Sequence, residues 1–273
     1  MSTSGKTAGI RAAALGLVAA CVLAVAACGL GATTGGQGCS VAAATACLRV
    51  LFLGNSYTYV NDLPGTFARL AESGGRQVES ATVANGGETL AQHAASKDSR
   101  SAIASRQWDY VVLQEQSEVP AVAGSRDGYM YPAARTLAVL IEASGATPML
   151  FMTPAHRDGL PASGLAGYEP MQLAINNGYE AIARELGVPI APVGYAWFVL
   201  RRQHPEVGLW QDDGSHPSVA GTYLAACVFY AAIYRQSPEG LKFVDGLPAD
   251  EAAVLQSSAA ANVLDLEAQW GLR

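Results

Sequence analysis

Charge is scarce in this sequence. Only 15% of its 273 residues are Asp, Glu, Lys or Arg, and 17 basic residues face 23 acidic ones for a formal charge of -6. Neutralising phosphates takes clustered Lys and Arg, so the balance argues against nucleic acid as a partner. Histidine is scarcer still. Of the four, His93, His156 and His204 are scattered, with no His-Glu-x-x-His and no paired Cys spacing near them. No metal and no cofactor are expected from that pattern. Five cysteines do not make a disulfide-packed miniprotein. The apolar run from Ala12 to Ala27 falls short of the roughly 20 residues that span a membrane. The nucleophile elbow Gly-x-Ser-x-Gly is also missing at the first serine turn, where position 58 is Thr.

That short apolar run has a meaning of its own. Lys6 and Arg11 precede it, and Val25-Ala26-Ala27-Cys28-Gly29 closes it. A charged region followed by a short apolar one is an export signal. The closing residues resemble the lipobox of bacterial lipoproteins, in which the cysteine becomes the lipidated first residue. Residues 1–27 are therefore expected to be removed, with Cys28 anchoring the chain to the outer face of the cell membrane. An earlier Val18-Ala19-Ala20-Cys21 would leave too short an apolar core. A secreted form and an uncleaved anchor are the alternatives, and both also place the body outside the cytoplasm. Residues 28–47, rich in Gly, Thr and Ala, read as a flexible tether. Cys39 and Cys47 are placed to close a small loop, while Cys227 in an apolar helix reads as a core thiol.

From Leu48 onward, short apolar runs alternate with longer amphipathic ones. Strands are expected at 48–53, 78–83, 110–113, 148–152 and 188–192, and helices at 63–73, 89–105, 131–144, 170–186 and 219–234. Strands alternating with helices predict one α/β domain over residues 48–273, a parallel sheet covered on both faces. Ligands then bind beyond the carboxyl ends of the strands. Three polar clusters fall there: Gly54-Asn55-Ser56, Asn85-Gly86-Gly87-Glu88 and Gln114-Glu115-Gln116-Ser117.

A serine on a tight turn after a buried strand presents its hydroxyl and its own N–H to one substrate atom, which makes Ser56 the candidate nucleophile. Its alcohol needs a base, and the base needs an orienting partner. The segment Asp212-Asp213-Gly214-Ser215-His216-Pro217 holds both, since a turn through Gly214 lets Asp213 reach the imidazole of His216.

Together these blocks resemble the SGNH (GDSL-like) hydrolases, over about Arg49 to Ala226. The resemblance implies a three-layer α/β/α sandwich with a flavodoxin-like five-stranded parallel sheet, and ester hydrolysis through an acyl-enzyme. By the same resemblance Ser56 matches the nucleophile, Asp213 and His216 the acid and base, and the N–H groups of Ser56 and Gly87 the oxyanion hole. Two positions depart from the commonest pattern. Asn55 stands where many members carry Asp, and Gln114-Glu115-Gln116 replaces the usual Gly-x-Asn. A Gln amide offers the same donors as Asn, so Gln116, with Gln114 as the alternative, is expected to complete the oxyanion hole. Leu113-Gln114-Glu115-Gln116-Ser117 is similar to the third block of one branch of the family.

The expected partner is a small-molecule or polysaccharide ester, with O-acetyl carbohydrate the leading case. Other readings are a non-catalytic glycan- or lipid-binding lipoprotein, an acyltransferase using the same serine, and a glycosidase built on Glu115, Glu118 and Asp158. Thr153 to Asp158 is expected near the site, and Tyr57, Tyr59, Trp197 and Trp210 are candidates to stack on a sugar ring.

Overall fold

The computed structural model describes residues 47–272. The expected signal segment, Cys28 and the tether up to residue 46 lie outside the described residues. Five parallel strands form the central sheet: β1 (Cys47–Gly54), β2 (Gln77–Ala84), β3 (Tyr110–Leu113), β4 (Thr147–Phe151) and β7 (Ile190–Ala191), in the order β2-β1-β3-β4-β7. A short antiparallel pair, β5 (Gly159–Leu160) and β6 (Leu165–Ala166), stands apart from it. This is the expected flavodoxin-like sheet with its layers of helix on both sides.

Sequence alone explains why β1 sits centrally. Val50, Leu51, Phe52 and Leu53 are consecutive, apolar and wholly buried, which only a strand covered on both faces permits. β1 pairs with β2 on one side and β3 on the other, Leu53 lying opposite Val83 and Leu113. The ends of these three strands are therefore level, and the polar clusters that follow them open side by side.

The helices are α1 (Ser56–Tyr59), α2 (Leu63–Ser73), α3 (Leu90–Ala95), α4 (Lys97–Ala104), α5 (Ala123–Ser125), α6 (Tyr131–Ala143), α7 (Tyr168–Leu186), α8 (Val193–Gln203), α9 (Val219–Tyr234) and α10 (Ala249–Leu264). Right-handed crossovers put α2 on one face and α3, α4, α6 and α7 on the other. The helices after β7 return to the first face, where α9 packs between α2 and α10. α9 is buried almost throughout, and Phe229 meets Phe52 and Phe151 edge-on at ring separations of 5.5 and 5.2 Å.

Local chemistry sets the helix boundaries. Ser218 caps α9 by accepting from Gly221 N at 3.1 Å, and Thr89 and Gln92 form a reciprocal capping box at α3. The single helix expected over 89–105 is two, because Ser96 ends α3 with extended backbone and its side chain accepts from Ser99 N to start α4. Cys47, at the start of β1, is disulfide-bonded. Its expected partner Cys39 lies outside the described residues. Cys227 is a buried free thiol, pushed well above its ordinary pKa by burial.

Candidate active site

Ser56 opens α1 directly after β1, behind a tightly built turn. The Asn55 side chain caps α1 by accepting from Tyr57 N at 3.1 Å, and its Nδ2 donates to the Glu88 carbonyl at 2.9 Å. One residue therefore fixes the serine turn and ties it to the loop carrying Gly87. Gly54 is needed for space: a Cβ there would stand 2.3 Å from Thr58 Oγ1 and 2.5 Å from Gln114 Oε1. Gly87 has φ +68°, a left-handed conformation that favours glycine. Among the described residues, the N–H groups of Ser56 and Gly87 donate to no protein acceptor.

The two candidate amides of the third block differ sharply. Gln114 is buried and fully engaged: its Nε2 donates to Asn55 Oδ1 at 2.9 Å and to the Glu115 carbonyl at 2.7 Å, while its Oε1 accepts from Asn55 N and Thr58 Oγ1. It is a brace for the serine turn. Gln116 is half-buried. Its Oε1 accepts from Glu118 N and Val119 N, which leaves Nε2 with one long contact, to Ser117 Oγ at 3.4 Å.

Asp213 and His216 are joined as the spacing suggested. His216 Nδ1 lies 2.6 Å from Asp213 Oδ2, and Asp213 Oδ1 accepts from the backbone N–H groups of Ser215 and His216, both at 2.9 Å. Gly214 supplies the turn with φ +69°. The hydrogen bond from His216, helped by the two N–H groups, lowers the Asp213 pKa to about 2. The carboxylate therefore stays ionised and fixes Nδ1 as the protonated ring nitrogen.

Contacts from the Ser56 side reach this turn. Tyr57, next to Ser56, places its hydroxyl 3.1 Å from Ser215 Oγ and its ring edge-on to the imidazole at 6.0 Å. Asn61 Nδ2 donates to the Pro217 carbonyl at 2.9 Å. Among the described residues, the Ser56 hydroxyl is hydrogen-bonded neither to His216 nor to another group.

Two pairings escaped the sequence reading because their members are distant in the chain. His156, after β4, places Nε2 2.9 Å from Ser117 Oγ. Burial lowers its pKa, and the fields of Asp213 and His216 both reach it. His93, buried under the serine turn, places Nε2 2.9 Å from the Gly54 carbonyl and Nδ1 2.8 Å from Ser99 Oγ, so it is a structural pin. Of the carboxyl groups offered for a glycosidase, Glu115 is inaccessible, its Oε1 accepting from Leu90 N and Gln116 N, Glu118 is half-buried and Asp158 is a surface residue. Among the stacking candidates Trp197 is core and Tyr57 is buried, whereas Tyr59, 46% exposed, stands beside the Gly86 turn. No cluster of metal-ligating residues occurs among the described residues.

No family model and no curated protein matches the chain. Solved structures do. A protein from Slackia heliotrinireducens assigned to the SGNH hydrolases is 31% identical, with a TM-score of 0.56, over 67% of this chain and 97% of that one. The chain belongs to the SGNH hydrolases. A DUF4886-family protein from Bacteroides uniformis is 20% identical at TM-score 0.68, covering 80% of this SGNH hydrolase and 95% of its own length. Axe2, an acetylxylan esterase from Geobacillus stearothermophilus, is 19% identical at TM-score 0.50, over 67% and 92% of the two chains. Both of these show a shared fold.

Proposed function

We propose that this SGNH hydrolase is a serine esterase that cleaves a carboxylic ester, with O-acetyl groups on carbohydrate as its substrate class. The observation that carries the reading is the Asp213–His216 hydrogen bond of 2.6 Å on a turn that contacts the residue next to Ser56. His216 Nε2 takes the Ser56 proton as Oγ attacks the ester carbonyl. The N–H groups of Ser56 and Gly87 and Nε2 of Gln116 hold the developing oxyanion. His216 then gives the proton to the leaving alcohol, and water repeats the cycle to release the acid. The choice of Gln116 over Gln114 is supported by the engaged amide of Gln114.

Carbohydrate is favoured by the polar surroundings, in which Tyr59 offers an exposed ring beside the Gly86-Gly87 turn. The acetylxylan esterase with the same fold agrees with that choice. Export and lipid attachment at Cys28 belong to the same proposal, since a surface enzyme meets polymeric glycan. Metabolic labelling with a palmitate analogue is expected to mark the wild type and to miss Cys28→Ala.

The direct test needs no substrate. A fluorophosphonate probe is expected to form an adduct on Ser56, mapped by peptide mass spectrometry, and to fail with Ser56→Ala and with His216→Ala. A folded wild type that takes no label would turn the assignment to a binding lipoprotein. Product analysis with sugar acceptors present separates hydrolysis from acyl transfer.

A further inference from the structure

Against its acidic balance, the chain gathers three arginines around one cavity: Arg157, Arg201 and Arg202 line it with Tyr168, Phe198 and a single acid, Glu169. The Arg201 guanidinium lies 4.9 Å from the Tyr168 ring centre and 4.8 Å from that of Trp210, while Arg202 stands 5.7 Å from Phe198. Ring contacts of this kind hold a guanidinium in place and leave it N–H groups to donate. Among the described residues neither Arg201 nor Arg202 has a carboxylate within ion-pair distance, and Arg157 has a surface contact with Asp158 at 3.6 Å and a long bond to the Asp212 carbonyl at 3.4 Å. Tyr168 in the cavity wall also has a buried hydroxyl without a hydrogen-bond partner. The site thus offers unspent positive charge.

The cavity shares a wall with the catalytic turn. Arg157 N donates to the Gly214 carbonyl at 2.7 Å, and the Arg157 guanidinium reaches 3.0 Å from where a Cβ on Gly214 would stand. Arg157 also follows His156, which pairs with Ser117. Trp210 meets Pro217 in a β-bridge and donates to the Ala155 carbonyl at 3.0 Å.

We propose that this cavity is an anion subsite that takes a sugar carboxylate, so that the substrate is an esterified acidic saccharide. The inference rests on the esterase reading for the ester itself. A planar carboxylate can accept two N–H groups from one guanidinium, and Arg157, Arg201 and Arg202 together supply the charge.

Binding to the full Ser56→Ala chain tests this apart from turnover. In titration calorimetry, trigalacturonate is expected to bind at least tenfold more tightly than neutral maltotriose, and added salt should weaken it. Arg201→Gln, checked for fold by circular dichroism, is expected to lower trigalacturonate affinity about tenfold or more while changing maltotriose little. Since Arg201 packs on two rings, Arg202→Gln provides a second variant, with a loss of about threefold. Equal binding of the two trisaccharides, or an unchanged affinity in folded Arg201→Gln, overturns the subsite. Inorganic phosphate competing as well as free galacturonate overturns the carboxylate assignment. Failure of Ser56 to label would sink the esterase reading and leave the binding result standing.

Discussion

Gln114 and Gln116 carry the same amide two positions apart, and their surroundings give them different work. Gln114 is a buried brace whose four hydrogen bonds join Asn55, Thr58 and Glu115. Gln114→Ala is expected to strand buried donors and acceptors and to cost about 2–3 kcal/mol of stability. Gln116→Ala is expected to leave the melting temperature near that of the wild type and to lower kcat roughly 10²- to 10³-fold, as loss of one oxyanion donor does. Thermal denaturation and ester kinetics on the same two variants check both statements. Equal effects of the two variants would remove the distinction. The sequence could not show that Gln114 is the brace, because an amide fits either position and only the placement of Asn55 and Thr58 reveals its bonds. It did bring Asp213 and His216 together, since three residues and one glycine turn suffice for that contact.

Among the elements, β1 and the turn after it are closely packed. The Gly54 backbone is not left-handed, so its glycine serves clearance from Thr58 and Gln114 rather than torsional freedom. Gly54→Ala is expected to push the serine turn off β1, costing about 1–3 kcal/mol and most of the labelling of Ser56. Urea denaturation and probe labelling read the two effects. A variant with wild-type stability and labelling would show that the Thr58 and Gln114 side chains yield freely. The five strands of the central sheet were legible because each is a short, largely apolar segment, whereas the two-residue β5 and β6 left no such signal. α8 was missed because Pro192 and Gly194 read as breakers, although Pro192 stands just outside the helix as its cap. Gly194 faces the Thr153 carbonyl, where a Cβ would come within 2.2 Å. α10 was missed because its apolar positions are mostly alanine, which makes a weak stripe. The pairing of His156 with Ser117 depends on β3 and β4 lying side by side, a fact of topology rather than of local sequence.

Across the whole molecule, buried ionisable groups set the response to pH. Burial raises the Glu115 pKa from 4.5 to about 7, against the hydrogen bonds from Gln116 N and Leu90 N, and Oε2 has no partner. An acid with a raised pKa holds its proton more tightly when folded. Its contribution is therefore greatest below pH 4.5 and is lost as pH rises through about 7. His93 works in the other direction, because burial lowers its pKa and folding favours its neutral form, so its contribution is lost on acidification. Glu115→Gln keeps the Oε1 acceptor and removes only the first of these effects. Relative to wild type, it is expected to gain roughly 1–3 kcal/mol between about pH 5.5 and 8.5, read by urea denaturation at both values. A difference that does not vary with pH would mean that Glu115 is equally charged in the folded and unfolded chains.

Ser56 and His216 stand far apart in the chain, and the contacts between their turns, from Tyr57 to Ser215 and from Asn61 to Pro217, each span more than 150 residues. Under the proposed mechanism, the nucleophile is therefore synthesised early and its base late. A nascent chain that ends before residue 213 would then hold Ser56 without its proposed base. On that proposal reactivity would arrive only when the final third has been synthesised and has closed over the sheet, so capture of Ser56 by a covalent probe would also report that the molecule is finished.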